Sequence, residues 1–135
     1  MRSAIIAPVR RYFSDRRNVV AVYLYGSQVT KRTSPDSDVD LAILLRKRPK
    51  NNAFALQLKF QQDLETLLRR DVDVVILNGA DLFLCRQVLT TGTALVVRDP
   101  RLAQTMTWSL LKQAWDYLPL KRFFDDLAIH RLARA

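Results

Sequence analysis

Gly26-Ser27-Gln28-Val29-Thr30-Lys31-Arg32-Thr33-Ser34-Pro35-Asp36-Ser37-Asp38-Val39-Asp40 is the stretch on which the reading of this chain turns. It separates two apolar runs, Val19 to Tyr25 and Leu41 to Leu45, each the length of an ordinary strand. A small-residue turn ends the first run, and ten mostly polar residues lead to a pair of carboxylates that opens the second. In extended backbone, residues two apart project to the same side, about 6.6 Å from each other. Asp38 and Asp40 therefore point together, at one end of two strands expected to be neighbours, and two such carboxylates suit a hard, oxygen-seeking cation such as Mg²⁺.

Outward from that stretch the chain reads as a single α/β unit with a helical tail. A first helix is expected over residues 3–17, with Ser3 as its cap, Ile5, Ile6, Val9 and Phe13 on one face and arginines opposite. Pro8 falls early enough to be tolerated. Strands are expected over 19–25 and 39–45, both apolar enough to be buried on two faces. A helix over 53–69, capped by Asn51 or Asn52, carries Leu56, Phe60, Leu64, Leu67 and Leu68 at helical spacing. Residues 71–77 read as a third strand. A short helix over 82–91 follows, capped by Asp81, ended by Gly92, with Leu82, Cys85, Val88 and Leu89 inward. A fourth strand covers 93–98. Asp99-Pro100 then opens a helix to about Leu118, with Leu102, Met106, Leu110, Ala114 and Tyr117 on one stripe and Leu111, Trp115 and Leu118 beside it. After Pro119 a last helical segment carries Phe123, Phe124, Leu127 and Leu132.

The 135 residues are 49% hydrophobic, which excludes a disordered chain, and no apolar run approaches a membrane span. No signal-peptide core is visible, and with Cys85 alone no intrachain disulfide can form, so a reducing cytoplasm is the expected compartment. A net charge of +9 is scattered through Arg10-Arg11, Arg16-Arg17, Lys31-Arg32, Arg46-Lys47-Arg48 and Arg69-Arg70. It implies an anionic partner (nucleic acid, an acidic protein, or nucleotide phosphates) or simply a well-solvated surface.

A third carboxylate would let two cations clamp an in-line displacement at phosphorus. Asp71-Val72-Asp73 supplies it. Asp73 lies inside an apolar run, where an unpaired carboxylate would be costly and a metal would explain it, whereas Asp71 can simply end the preceding turn. Gly26 lets backbone approach a phosphate closely, and the Ser27 hydroxyl can donate to its oxygens. Taken singly, Gly-Ser is an ordinary turn and D-x-D is common in loops. Their conjunction with an Asp in a third strand is what carries the reading.

Gly26-Ser27, ten residues, then Asp38-x-Asp40 resembles the signature of the nucleotidyltransferase fold of the DNA polymerase beta superfamily. The short length, D-V-D-V-V-I-L-N, and L-C-R-Q-V-L-T-T-G-T-A-L look like the minimal nucleotidyltransferases, commonly the antitoxin half of a pair with a HEPN-domain toxin. The resemblance implies a mixed sheet of about four strands with helices packed on it, a nucleotidyltransferase domain over 1–100 and a C-terminal helical extension over 101–135 packing on the domain or on a partner. It implies Asp38, Asp40 and Asp73 as metal ligands and catalytic residues, Gly26 and Ser27 as the grip on the nucleotide, and two Mg²⁺ ions with ATP as substrate. It implies transfer of AMP to a hydroxyl, in this branch a tyrosine of the HEPN toxin, which is thereby silenced. The implied partner is that toxin, in a homo- or hetero-oligomer, with no membrane and with RNA binding a lesser alternative. Neutralisation by binding alone, or transfer to a small molecule or an RNA end, are the competing readings. After Gly-Ser many relatives have arginine, a small residue, arginine and glycine. Here Gln28 to Lys31 stands instead, with Lys31 or Arg32 the nearest basic substitutes.

His130, the only histidine, lies in the tail and reads as a surface or packing residue. Cys85 reads as core. Trp108 and Trp115, seven apart, either pack on the domain or, with Phe123 and Phe124, serve a partner interface.

Overall fold

The computed structural model describes residues 2–26 and 38–113; Ser27 to Ser37 and the tail from 114 to 135, with Trp115, Phe123, Phe124 and His130, lie outside the described residues. The order of elements is α1 (Arg2–Phe13), β1 (Val19–Tyr25), β2 (Val39–Leu45), α2 (Ala53–Leu68), β3 (Val72–Ile76), α3 (Leu82–Thr91), β4 (Thr93–Val97) and α4 (Pro100–Lys112). The strands form a sheet of order β3-β2-β1-β4. β1 pairs antiparallel with both β2 and β4, whereas β2 and β3 are parallel, as a connection through a whole helix requires. The expected mixed four-stranded sheet is what forms.

Every position of β1 except Tyr25 is buried, because the sheet is covered on both sides. On one face Val22, Leu24, Leu41, Ile43 and Val74 meet Ile5, Val9 and Phe13 of α1 and Phe60 and Leu64 of α2. On the other, Ala21, Tyr23, Ala42 and Leu44 meet Cys85, Val88 and Leu89 of α3 and Ala103 and Leu111 of α4. The pairing of β1 with β2 shifts between Val19 and Ala21, so Val20 and Ala21 both join the second face, which a bulge permits.

Helix ends show where local chemistry overrides the apolar pattern. α1 begins before Ser3, which is therefore no cap, and it stops at Phe13 rather than Arg17. There the Ser14 hydroxyl donates to the Arg11 carbonyl at 2.8 Å, and Arg98 donates to the carbonyls of Phe13, Ser14 and Val19. The bonds to the Arg11 and Phe13 carbonyls satisfy acceptors of the last turn without further helix. Asn52 stands at the start of α2 in a left-handed conformation (φ 61°) with no side-chain cap bond, contrary to its expected role. Asp81 and Asp99 do cap, accepting from Phe83 and Leu84 and from Leu102 respectively. Gly92 ends α3 with ordinary extended φ, so the left-handed stop is not its purpose. A Cβ there would sit 2.5 Å from the Val88 carbonyl oxygen and 3.1 Å from that of Leu24, so glycine is needed for close approach of backbone to backbone.

Two expectations for helix faces change. Leu67 is exposed rather than inward. On α4 the centre of the buried stripe is Ala103, Thr107 and Leu111, with Leu102, Met106 and Leu110 only flanking it. Thr107 escapes a hydropathy reading because its hydroxyl bonds the Ala103 carbonyl at 2.8 Å, which removes the cost of burying it. Among the described residues no helix is long and apolar enough to cross a membrane.

Tyr23 is fully buried between Ala42 and Ala94, whose small side chains leave room for its ring. Its hydroxyl has no hydrogen-bond partner among the described residues, and burial holds its pKa above the ordinary value. An unpaired buried hydroxyl is a net cost, so Tyr23→Phe is expected to stabilise the fold by about 1 kcal/mol in urea unfolding. A loss of stability in that variant would mean the hydroxyl has a partner.

Candidate active site

The site lies at the end of the sheet where β1 finishes and where β2 and β3 begin. Two pairings define it: Tyr25 stands opposite Asp40 in the antiparallel ladder, and Asp40 stands beside Asp73 in the parallel one. These three residues form one row across three strands. Their neighbours two positions inward, Tyr23, Ala42 and Val75, belong to the face covered by α3 and α4, so the row projects on that side. Asp38 lies just ahead of β2, exposed, two residues before Asp40.

Asp73 is held there by backbone bonds at both flanks of β3. The amide of Val39 donates to the Asp71 carbonyl at 2.9 Å, and that of Leu77 to the Ile43 carbonyl at 2.9 Å. The amide of Val72 also donates to the Glu65 carboxylate at 3.2 Å, which ties the strand to the end of α2. The register thus puts Asp73, not Asp71, next to Asp40. The expected reason was wrong, however. Asp73 occupies the exposed position of β3, so burial in an apolar run does not account for it. β3 is an edge strand, and its alternation opens toward the row of Asp40 instead.

Gly26 follows Tyr25 directly, with φ 75°, in the region that favours glycine. A Cβ at this position would collide with Oδ2 of Asp40. The glycine is therefore required twice: once by its own conformation, and once because the Asp40 carboxylate lies against its backbone. Ser27, the other half of the expected nucleotide grip, lies outside the described residues, as do Lys31 and Arg32.

Charge is concentrated here. The Asp40 carboxyl is held above its ordinary pKa, first by burial, then by the negative charges of Asp73 and Asp38. Tyr25 is pushed up to about 12 by burial and by the same charges of Asp40 and Asp73. Tyr25 is the member of the row that sequence reading missed. The alternation Tyr23, Tyr25 was visible, but only the pairing with β2 reveals that the second tyrosine faces the carboxylates. Among the described residues no three His, Cys, Asp or Glu side chains are gathered into a ready-made cage. The donor set nonetheless fits a hard divalent cation: the side chains are oxygen donors, they repel one another, and magnesium commonly completes its shell with water and substrate phosphate.

Residues 8–101 match the polymerase beta nucleotidyltransferase family. A protein adenylyltransferase MntA of Shewanella oneidensis is 31% identical over 118 residues, an alignment spanning 84% of this chain and 80% of that protein. A crystal structure of a toxin–antitoxin with AMP-PNP superposes with a TM-score of 0.66 at 26% identity, covering 90% of this chain and 96% of that one. A structure of tri-AMPylated Shewanella oneidensis HEPN toxin in complex with MNT antitoxin gives 0.62 at 26% identity, covering 93% and 98%. This chain belongs to the polymerase beta nucleotidyltransferase family, and it has the nucleotidyltransferase fold.

Gly26→Ala must disturb the site, since the added methyl meets the Asp40 carboxylate and the backbone is strained by its positive φ. It is expected to lower stability by about 1–3 kcal/mol and nucleotidyl transfer by more than that loss of folded protein explains. Circular dichroism melts beside turnover measurements separate the two effects. Wild-type turnover in this variant would remove Gly26 from the site.

Proposed function

We propose that this chain is a metal-dependent protein adenylyltransferase that moves AMP from ATP to a tyrosine hydroxyl of a HEPN-domain partner and so neutralises it as an antitoxin. The observation that carries the reading is the single row of Asp40 and Asp73 on paired strands, with Gly26 backbone against the Asp40 carboxylate. It is supported by the adenylyltransferase similar to this chain and by the folds shared with toxin–antitoxin structures, one with AMP-PNP and one with an AMPylated HEPN toxin.

Asp38, Asp40 and Asp73 would hold Mg²⁺, which when bound supplies positive charge to the triphosphate and to the departing pyrophosphate. The residues of the chain do the rest. Gly26 leaves its backbone open to a phosphate, and Ser27 donates to the phosphate oxygens. The acceptor hydroxyl forms a new bond from its oxygen to the α-phosphorus as the bond from that phosphorus to the bridging oxygen breaks, releasing pyrophosphate. The proton of the hydroxyl passes to Asp73, the most exposed of the row and so the one open to an incoming side chain. Asp73 is the exposed position of β3, which suits an acceptor carried on another protein.

The catalytic unit is taken as residues 1–100 and the remainder as an extension, in line with a family match that ends at residue 101. α4 begins that extension and packs on the sheet through Ala103, Thr107 and Leu111, leaving residues beyond it for the domain or the partner. A hetero-oligomer with the HEPN partner in a reducing cytoplasm is the setting that accords with one buried thiol, Cys85.

Incubation with ATP, Mg²⁺ and the HEPN partner is expected to add adenylyl increments to the partner, read by intact mass. Asp40→Asn and Asp73→Asn are each expected to slow this by about 10²–10⁴-fold while the fold persists. Chelation of the metal is expected to stop it. Neutralisation that survives intact in the Asp38→Asn/Asp40→Asn double variant would sink the enzymatic account in favour of binding alone.

A further inference from the structure

The end of the sheet opposite the carboxylates is built differently, and adenylyl transfer has no use for it. β1 starts there, and β2 and β3 finish there. The loop leaving β2, Arg46-Lys47-Arg48-Pro49-Lys50, carries four exposed cations, and Arg17 is exposed on the turn entering β1. Among the described residues the carboxylates of this end are Asp15, paired with Arg16 at 3.2 Å, and Asp81 and Asp99, which cap α3 and α4, and the five exposed cations outnumber them.

The loop is fixed in place. The Arg46 amide donates to the Asn18 carbonyl at 2.7 Å and the Lys47 amide to the Asn18 side chain at 3.3 Å. The Asn78 amide exchanges two bonds of 2.8 Å with the backbone of Leu45, like an added strand residue. The Arg48 guanidinium lies over Gly79, where a Cβ would come within 2.6 Å of it. Gly79 is thus kept free of a side chain under an exposed arginine.

The same end bears two exposed aromatic rings. Phe54 is 73% exposed and Phe83 is 59% exposed. Each is the second residue of the helix that leaves this end, α2 from the loop after β2 and α3 from the turn after β3. α2 packs on one face of the sheet and α3 on the other, so the two rings stand on different sides of the basic loop. The Arg86 guanidinium lies 5.5 Å from the Phe83 ring centre and adds a cation beside it. Exposed rings beside a positive surface suit a chain of phosphates whose bases are unpaired and can stack. A duplex, with its bases already stacked on each other, would leave the rings without use.

We propose that this pole binds a single-stranded nucleic acid, with phosphates on the Arg46-Lys47-Arg48 loop and Lys50 and with bases stacked on Phe54 and Phe83. The site is separate from the nucleotidyltransferase row and does not depend on the reading of that row.

The test is fluorescence anisotropy of labelled single-stranded RNA and single-stranded DNA of mixed sequence, and of duplex DNA, with the full chain across a salt series. Binding of a single strand is expected with a log–log salt slope of about −3, as four or five neutralised phosphates give, and weaker binding of duplex. Whichever single strand binds tighter identifies the source. Arg46→Gln/Lys47→Gln/Arg48→Gln is expected to flatten the slope by about 2. Phe54→Ala/Phe83→Ala is expected to weaken binding roughly tenfold or more without changing the slope. Both variants are expected to keep wild-type melting and adenylyl transfer. Absence of single-strand binding at low salt, equal affinity for duplex, or unchanged binding in the triple variant would each overturn the proposal. So would a phenylalanine double variant that loses association with the HEPN partner but not with nucleic acid, since that would make the rings a protein interface.

Discussion

The antiparallel pairing of β1 with β2 is the constraint from which the rest follows. It sets Tyr25 opposite Asp40 and brings the backbone of Gly26 against the Asp40 carboxylate. One further ladder, parallel and supplied through α2, sets Asp73 beside Asp40. A shift of either register by one residue would turn a carboxylate to the opposite face, among the side chains of α1 and α2. Packing on both sides of the sheet forbids that shift, because it would bury Asp40 under α1 and α2 and drive Leu41 and Ile43 into the layer already filled by α3 and α4. The hydrophobic layers therefore act on chemistry as well as stability: they hold a row of like charges that would otherwise separate.

The two ends of the sheet have opposite characters, and topology is the cause. At the end where β2 and β3 begin, their first residues include Asp40 and Asp73. At the end where they finish, both continue into helices through short polar connections, and these carry Arg46, Lys47, Arg48 and Lys50, with Phe54 and Phe83 on the first turns beyond. Because β2 and β3 are parallel, their like ends coincide, so Asp40 and Asp73 share one end and the loop of Arg46, Lys47, Arg48 and Lys50 lies at the other. An anionic partner meets the positive end first, while a nucleotide triphosphate needs a cation to be tolerated at the other.

Much of the fold was legible in the sequence, and for identifiable reasons. β1 and β2 were read to the residue because both are continuous apolar runs bounded by polar turns. α3 was read to the residue because Asp81 and Gly92 mark its ends. The errors fall where side chains compete with backbone. Ser14 and Arg98 ended α1 early by satisfying its last carbonyls, and Thr107 entered the core with its hydroxyl bonded to its own helix. Asn52 was a plausible cap by residue type, but it adopts a left-handed backbone and makes no side-chain cap bond. Among the candidate site residues, Asp38 and Asp40 were picked out by their spacing together with the glycine-serine turn, and Gly26 by its place at the end of a strand. Asp73 was chosen for burial that it does not have.

The sequence by itself determined the family and the order of strands and helices along the chain, and it marked out Asp38 and Asp40 as candidates, because these are carried by short spacings and by local apolar periods. Only the tertiary structure decided which residues stand together. Strand neighbours are set by pairing between distant segments, and no local pattern records that Tyr25, Asp40 and Asp73 share a row. The same holds for the reason Gly26 is glycine. Its positive φ could be guessed from a turn, but the contact that forbids a side chain comes from Asp40, which lies fourteen positions further along the chain and only one strand away in space.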